Sequence, residues 1–255
     1  MQELSAILNV DMGESYGPYS IGNDAEVMKQ ITAANIACGF HGGDPTVIKK
    51  TVQLAKQYNV SVGAHPGFQD LRGFGRRMIG VEPAEVYDDI VYQLGALDAF
   101  LKIEKMEMTH ISPHGKLDPL VSNNDEYAEV FIKAIKDYNP NLRLIIEANS
   151  LLCKKAKSSG LTVCPVGYPD LRYDSYGEII IDKVKKSLDA KEIARQSLSI
   201  IKDHIVRAVD GKQFPIEAEV LCYHGDVPNA VEILKEVRKV FDDEGIKIIS
   251  SKKKT

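Results

Sequence analysis

Hydrophobic positions in this chain follow two rhythms that alternate from one end to the other. Short apolar runs of strand length, "SAILNV", "ITAANIAC", "VSVGAHP", "MEMTHIS", "LRLIIEAN", "LTVCPVGY" and "EAEVLCYHG", each give way to a polar turn. Apolar residues at helical spacing follow most of the turns. After the second run, Val47, Ile48, Val52, Ala55 and Tyr58 share one face, with Asp44 placed to cap and Pro45 at the first helical position. Further helices are expected near residues 24–34, from Pro83, over 124–136, from a cap at Asn149 to Gly160, over 190–209 and over 228–243. "GIKIIS" reads as a short last strand. Strand and helix alternating in this way predict a parallel α/β sheet with connections of one hand. Seven such units close more readily than they spread. The expected fold is a TIM-like (β/α) barrel, irregular and one strand short, with residues 1–255 as one domain.

Composition changes this picture little. The 255 residues are 44% hydrophobic and 27% charged, as suits a globular core. A net charge of -4 argues against nucleic acid as a partner. Cys38, Cys153, Cys164 and Cys222 show no CxxC spacing and read as buried thiols rather than as disulfides or zinc ligands. No stretch approaches the roughly 18 apolar residues of a membrane span, and no signal-like leader is recognised, so a cytoplasmic location is expected. "SKKKT" is read as a solvated basic tail.

The strand ends carry the chemistry. At or just past the end of each apolar run stand Asp11 and Glu14, His41 and Asp44, His65, His114, Glu147 and Asn149, Asp170, and finally His224 and Asp226. In a parallel barrel all these ends meet on one rim, where barrel enzymes place their active sites. Acids and histidines at nearly every end point to proton transfer, to a hard cation held by carboxylates, or to a softer metal held by histidine. His110 and His204 are read as structural, the first inside the barrel and the second within a helix. HExxH, GxSxG and the Walker P-loop are all missing from the sequence. Any nucleotide would have to be held by "GFHGGD", through Gly42 and Gly43, and by "GFGRR", where Arg76 and Arg77 could meet phosphate.

The stretches "LNVDMGESYG", "ANIACGFHGGDP", "VGAHPGFQDLRGFGRR", "PHGKL" and "HGDVPNAV" resemble, in order, the LamB/YcsF family, that of the A component of 5-oxoprolinase. The resemblance implies a β/α barrel related to glycoside hydrolase and deacetylase barrels. It also implies ATP-dependent opening of 5-oxoproline to L-glutamate, with Mg²⁺ as companion to ATP and with partner subunits B and C. On this reading Asp11, Glu14 and Asp44 hold Mg²⁺ or act as base, while His41, His65 and His114 transfer protons or bind the carbonyl. Asp170, Arg172, Tyr173, His224 and Asp226 become candidate substrate contacts. The family pattern Glu-x-Phe-Ala-Asp-Arg-x-Tyr stands here as "VGYPDLRY", with Val166 and Leu171 in place of Glu and Arg, and "PHGALY" stands as "PHGKLD", with Asp118 in place of tyrosine. Arg172 is one position out of phase and replaces the missing arginine only if a bulge at Pro169 restores the register. Without it, 5-oxoproline should bind weakly, or the substrate should be a related lactam or amide. Two other readings compete. One is a metal-dependent amide or carbohydrate deacetylase with Asp11, His65 and His114 around a catalytic ion. The other is a non-catalytic protein of the complex that binds a small acid.

Overall fold

In the computed structural model, which describes residues 4–182 and 184–250, seven parallel strands close on themselves. They are β1 (Ser5–Met12), β2 (Ala33–Ala37), β3 (Ser61–His65), β4 (Met108–Ile111), β5 (Arg143–Ile146), β6 (Val163–Gly167) and β7 (Val220–His224). Each pairs with the next, and β7 returns to β1 through partners such as Asn9 with Cys222 and Asp11 with His224. Lys247–Ile248 adds a short parallel strand to the start of β1. The expected barrel of seven main strands is what forms. The "SKKKT" tail lies outside the described residues.

Eight helices carry the outer layer among the described residues: α1 (Asp24–Val27), α2 (Pro45–Gln57), α3 (Pro83–Glu104), α4 (Leu117–Asn123), α5 (Asp125–Tyr138), α6 (Leu151–Ser158), α7 (Ala190–Leu198) and α8 (Ala230–Asp243). Three expected segments come out differently. The first helix is a single turn: residues 28–30 form a turn, and Ala33 and Ala34 already belong to β2. Ser150, not Asn149, caps α6, with its hydroxyl accepting from Cys153 N at 3.1 Å. The helix expected over 190–209 ends early: α7 runs into one π turn at Ser199–Asp203. His204 then stops it in a left-handed conformation, φ 57°, on the surface rather than inside a helix.

Strand alternation divides the residues between two compartments. From β1, Ala6, Leu8, Val10 and Met12 face the helices and join the large apolar cluster beneath them. The other parity, Ile7, Asn9 and Asp11, faces inward. At the bottom, Ile7 meets Ala33, Ile145, Cys164, Val166 and Val220 in a small apolar plug. One layer higher the interior turns polar. His110, as expected, is structural: its Nε2 faces Asn35 Oδ1 at 3.0 Å, and Asn9 Nδ2 donates to the same oxygen at 3.1 Å. Burial takes its imidazole down to about 3, so the ring is neutral. Its plane crosses the barrel over Gly63, where an added Cβ would sit 2.1 Å from the ring. Gly63→Ala should therefore force the ring out of place and lower the unfolding free energy by about 1–3 kcal/mol in urea titrations.

Candidate active site

The next inward layer is the site. Asp11, two residues beyond Asn9, is 5% exposed. Its Oδ1 accepts from Asn35 Nδ2 at 2.8 Å and from the Cys222 thiol at 3.4 Å. Its Oδ2 lies 3.2 Å from His65 Nε2 and 3.8 Å from His224 Nε2. Burial alone would raise this carboxyl, but attraction to His65, a hydrogen bond with it, and His224 together hold it well below the usual carboxylate range. It is an anion.

Around Asp11 the histidines are oriented by groups that can only accept. His65 Nδ1 donates to Ser112 O at 2.8 Å, and His114 Nε2 donates to Phe74 O at 2.8 Å. The remaining nitrogens, His65 Nε2 and His114 Nδ1, face each other at 2.9 Å. As neutral rings they would point two lone pairs at one another, so a positive charge belongs between them, either a proton or a metal ion. Phe74 holds its carbonyl there in a left-handed conformation unusual for a bulky residue, φ 55°. Behind His114, the His41 ring stacks at 3.6 Å between centroids, and its Nε2 meets Glu14 Oε1 at 3.1 Å. Burial, then Asp11 and Asp226, pushes the Glu14 carboxyl well above its ordinary value; burial, then the neighbouring positive groups, pushes His41 and His114 well below theirs.

Glu14, His41, His65 and His114 offer ligand atoms that all lie within 4.8 Å of one another. With Asp11 beside His65, this set is rich in nitrogen and suits a borderline cation of the zinc class better than Mg²⁺, which prefers oxygen. His41 Nδ1 is buried with no hydrogen-bond partner.

On the opposite wall Asp170 accepts twice from one residue: from His224 N at 2.8 Å and from His224 Nδ1 at 3.0 Å. Burial opposes the charge on Asp170, but His224 keeps it below the ordinary carboxylate range. The ring is thereby fixed with Nε2 toward Asp11. Arg76 completes the cavity, its Nη1 2.9 Å from Asp226 Oδ2 and its guanidinium 4.8 Å over the Phe74 ring. Asp11, His65, Arg76, His114 and His224 thus line one cavity of about 30 Å³, room for about one water, while Glu14, His41, Asp170 and Asp226 stand behind them. Leu171, Ile179 and Ile181 from the small hairpin of Arg172–Tyr173 with Ile179–Ile180 cover it.

Several expected residues are elsewhere. Asp44 is the cap of α2: one oxygen accepts from Thr46 N and Val47 N, the other from Gly17 N at 2.7 Å, and it stands outside both the histidine cluster and the cavity lining. Gly42 and Gly43 lie against the backbone of the first loop, where a Cβ would come within 2.7 Å of Glu14 O and 2.8 Å of Gly13 O. Their missing side chains allow that close approach, and Gly43 N donates to Ser15 O at 3.0 Å. Arg77 turns outward and clasps Asp70 through Nε at 3.0 Å, while Arg76 turns into the cavity; the two do not form one phosphate clamp. Arg172 is exposed and pairs with Asp182 at 2.9 Å, with no bulge to turn it inward. Tyr173 is buried, its hydroxyl accepts from Tyr168 N at 3.1 Å, and it lines the neighbouring groove rather than this cavity.

Four polar residues of the cavity are not among the candidate contacts of the sequence: Ser112, Asp118, Tyr168 and Cys222. Cys222 was findable, since it precedes His224 by two and so shares its parity. Glu147 and Asn149 flank a separate groove with Tyr173, Phe214 and Glu217. Burial, then Asp118 and Glu178, pushes the Glu147 carboxyl from 4.5 to about 8. A raised folded-state value means that stability is full at low pH and falls as pH rises through the interval from 4.5 to about 8. Urea midpoints measured across that interval should decline in the wild type and decline less in Glu147→Gln.

The LamB/YcsF family model matches residues 7–255. The chain is 43% identical over 247 residues to the A component of 5-oxoprolinase from Pyrococcus abyssi, covering 96% of this chain and 97% of that protein. It is 41% identical over 243 residues to the protein of the same name from Staphylococcus carnosus, covering 94% and 96%. Among solved structures, a lactam utilization protein from Thermus thermophilus superposes with a TM-score of 0.89 at 38% identity, over 97% of this chain and all of that one. A family 4 carbohydrate esterase from Streptomyces lividans shares the barrel alone, with a TM-score of 0.50 at 10% identity over 97% and 92% of the two chains. No helix among the described residues is long and apolar enough to cross a membrane. With its sequence matched almost from end to end and its barrel shared with a lactam utilization protein, the chain belongs to the LamB/YcsF family.

Proposed function

We propose that this chain is the ring-opening component of an ATP-dependent 5-oxoprolinase, converting 5-oxoproline to L-glutamate with companion subunits B and C. The observation that carries the reading is the pairing of two carboxylate–histidine systems, Asp11–His65 and Asp170–His224, across one cavity. A lactam is a poor electrophile. Phosphoryl transfer from ATP to its oxygen makes the carbon open to attack by water. Breaking the ring C–N bond then requires a proton at nitrogen and leaves an acyl phosphate for a second water to hydrolyse.

His224 Nε2 is the atom placed to take the water's proton and return it to the ring nitrogen. Asp170 fixes the ring's orientation, and the Asp11 anion favours the charged imidazole while the proton is held. The glycines of the second loop and Arg77 are engaged within the fold, so phosphoryl transfer is assigned to the companion proteins, with Mg²⁺ accompanying the nucleotide there. Asp170→Asn should lower kcat by roughly 10²–10⁴-fold with little change in KM, measured in the reconstituted complex. The purified chain given ATP and 5-oxoproline should show negligible turnover. Efficient turnover by the chain alone would place phosphoryl transfer here instead.

A second reading has its own support in the nitrogens of His65 and His114, which face each other and call for a positive charge. A zinc-class ion held by Asp11, His65 and His114 would supply polarisation of an amide carbonyl. The chain would then be an amide hydrolase independent of ATP. Elemental analysis of protein purified without added metal separates the two: stoichiometric zinc, with amide cleavage that stops on chelation and needs no ATP, favours the second.

A further inference from the structure

We infer that Arg76 is the specificity-determining residue of this site, and that it selects a small substrate bearing a carboxylate. This deepens the proposed reading and rests on it for the lactam, though not for the anion.

Among the described residues, Arg76 is the only arginine or lysine lining the cavity around Asp11. Its side chain is 6% exposed. A guanidinium carries five N–H donors in a rigid plane, and here two neighbours hold that plane. The Phe74 ring lies beneath it at 4.8 Å, and Asp226 meets it through the single contact from Nη1 to Oδ2 at 2.9 Å. The pairing is one-point, and Asp226 Oδ1 is buried without a partner. Asp226 is the one acceptor that the Arg76 guanidinium meets among the described residues. Its other donors are therefore available on the cavity side, where a planar oxyanion can take two of them in parallel. Asp226 orients the group; it does not saturate it.

The rest of the cavity decides which oxyanion. Leu171, Ile179 and Ile181 give the cavity an apolar wall. These apolar side chains favour a hydrocarbon ring over a polyphosphate, and they must yield for the ring to enter, since the cavity as it stands has room for about one water. The guanidinium expected for 5-oxoproline is thus supplied from the loop after β3, and the leucine at position 171 costs the site nothing in charge. The weak binding inferred from Leu171 and Arg172 does not follow once Arg76 is in place.

Calorimetric titration of the full chain tests this with four probes: 5-oxoproline, 2-pyrrolidinone (the same ring without the carboxylate), acetate and inorganic phosphate. The variants are Arg76→Lys, which keeps the charge without the two-point geometry, and Arg76→Met combined with Asp226→Asn, which strands no buried charge. Circular dichroism confirms folding. Wild type should bind 5-oxoproline at least tenfold tighter than 2-pyrrolidinone. Arg76→Lys should reduce that preference by roughly tenfold, in keeping with the loss of a charge-assisted contact, and the double variant should abolish it with 2-pyrrolidinone unaffected. A preference that survives both variants overturns the inference. So does an equal weakening of both lactams, which would mark a structural role, and so does a loss confined to phosphate, which would make Arg76 a phosphate ligand. Arg76-dependent binding of acetate, with neither lactam bound, would uphold the anion site and overturn the lactam reading. Binding of none of the four probes by wild type overturns the anion site.

Discussion

A carboxylate buried in a protein interior normally takes up a proton, and the upper half of this barrel is arranged so that Asp11 does not. Asn35 and Cys222 donate to one of its oxygens, and His65 and His224 stand near the other. Each of those neighbours is itself held. His110 and Asn9 fix the Asn35 amide, Ser112 O fixes His65, and Asp170 fixes His224. The layers beneath follow from this. A neutral His110 needs room to lie across the barrel, and Gly63 provides it.

Charge in the site is divided unevenly. The groups nearest the cavity are the ionised Asp11 and the Arg76 guanidinium, with histidines between them. Behind them Glu14 is driven toward its protonated form by burial and by the Asp11 and Asp226 anions. Asp170 and Asp226, also behind the cavity, are each held by a partner that faces it, His224 and Arg76, so the field is concentrated on one small volume. That suits a reaction in which a proton crosses from water to a leaving nitrogen, and it also explains why a cation is called for where His65 and His114 meet.

The two arginines of "GFGRR" show how far adjacent residues can diverge. The turn after Phe74 sends Arg76 inward onto Asp226 and Arg77 outward onto Asp70. After the sixth strand the outcome is reversed for the charge: Leu171 lines the cavity and Arg172 is left in solvent with Asp182.

Much of the barrel was legible in the sequence because its signals are local. Apolar runs with period two, helical spacing between them and a proline or aspartate at a helix start depend on a few consecutive residues. The same regularity put Asp11, His65, His114 and His224 on a common rim, since strand ends of a parallel barrel converge whatever the details. The sequence could not separate cavity from support. Asp44 and His41 are three residues apart on one loop, yet Asp44 caps a helix in partial contact with solvent while His41 stacks in the interior. Gly42 and Gly43 read in the sequence as a phosphate loop, and in the fold they pack against the backbone of the first loop. Those outcomes depend on which backbone atoms from distant segments come within a few ångströms, and only the closed barrel brings them there. The chain alone determined the kinds of groups on the rim; the tertiary structure decided which of them face the cavity, because direction in loops is set by long-range contacts rather than by sequence period.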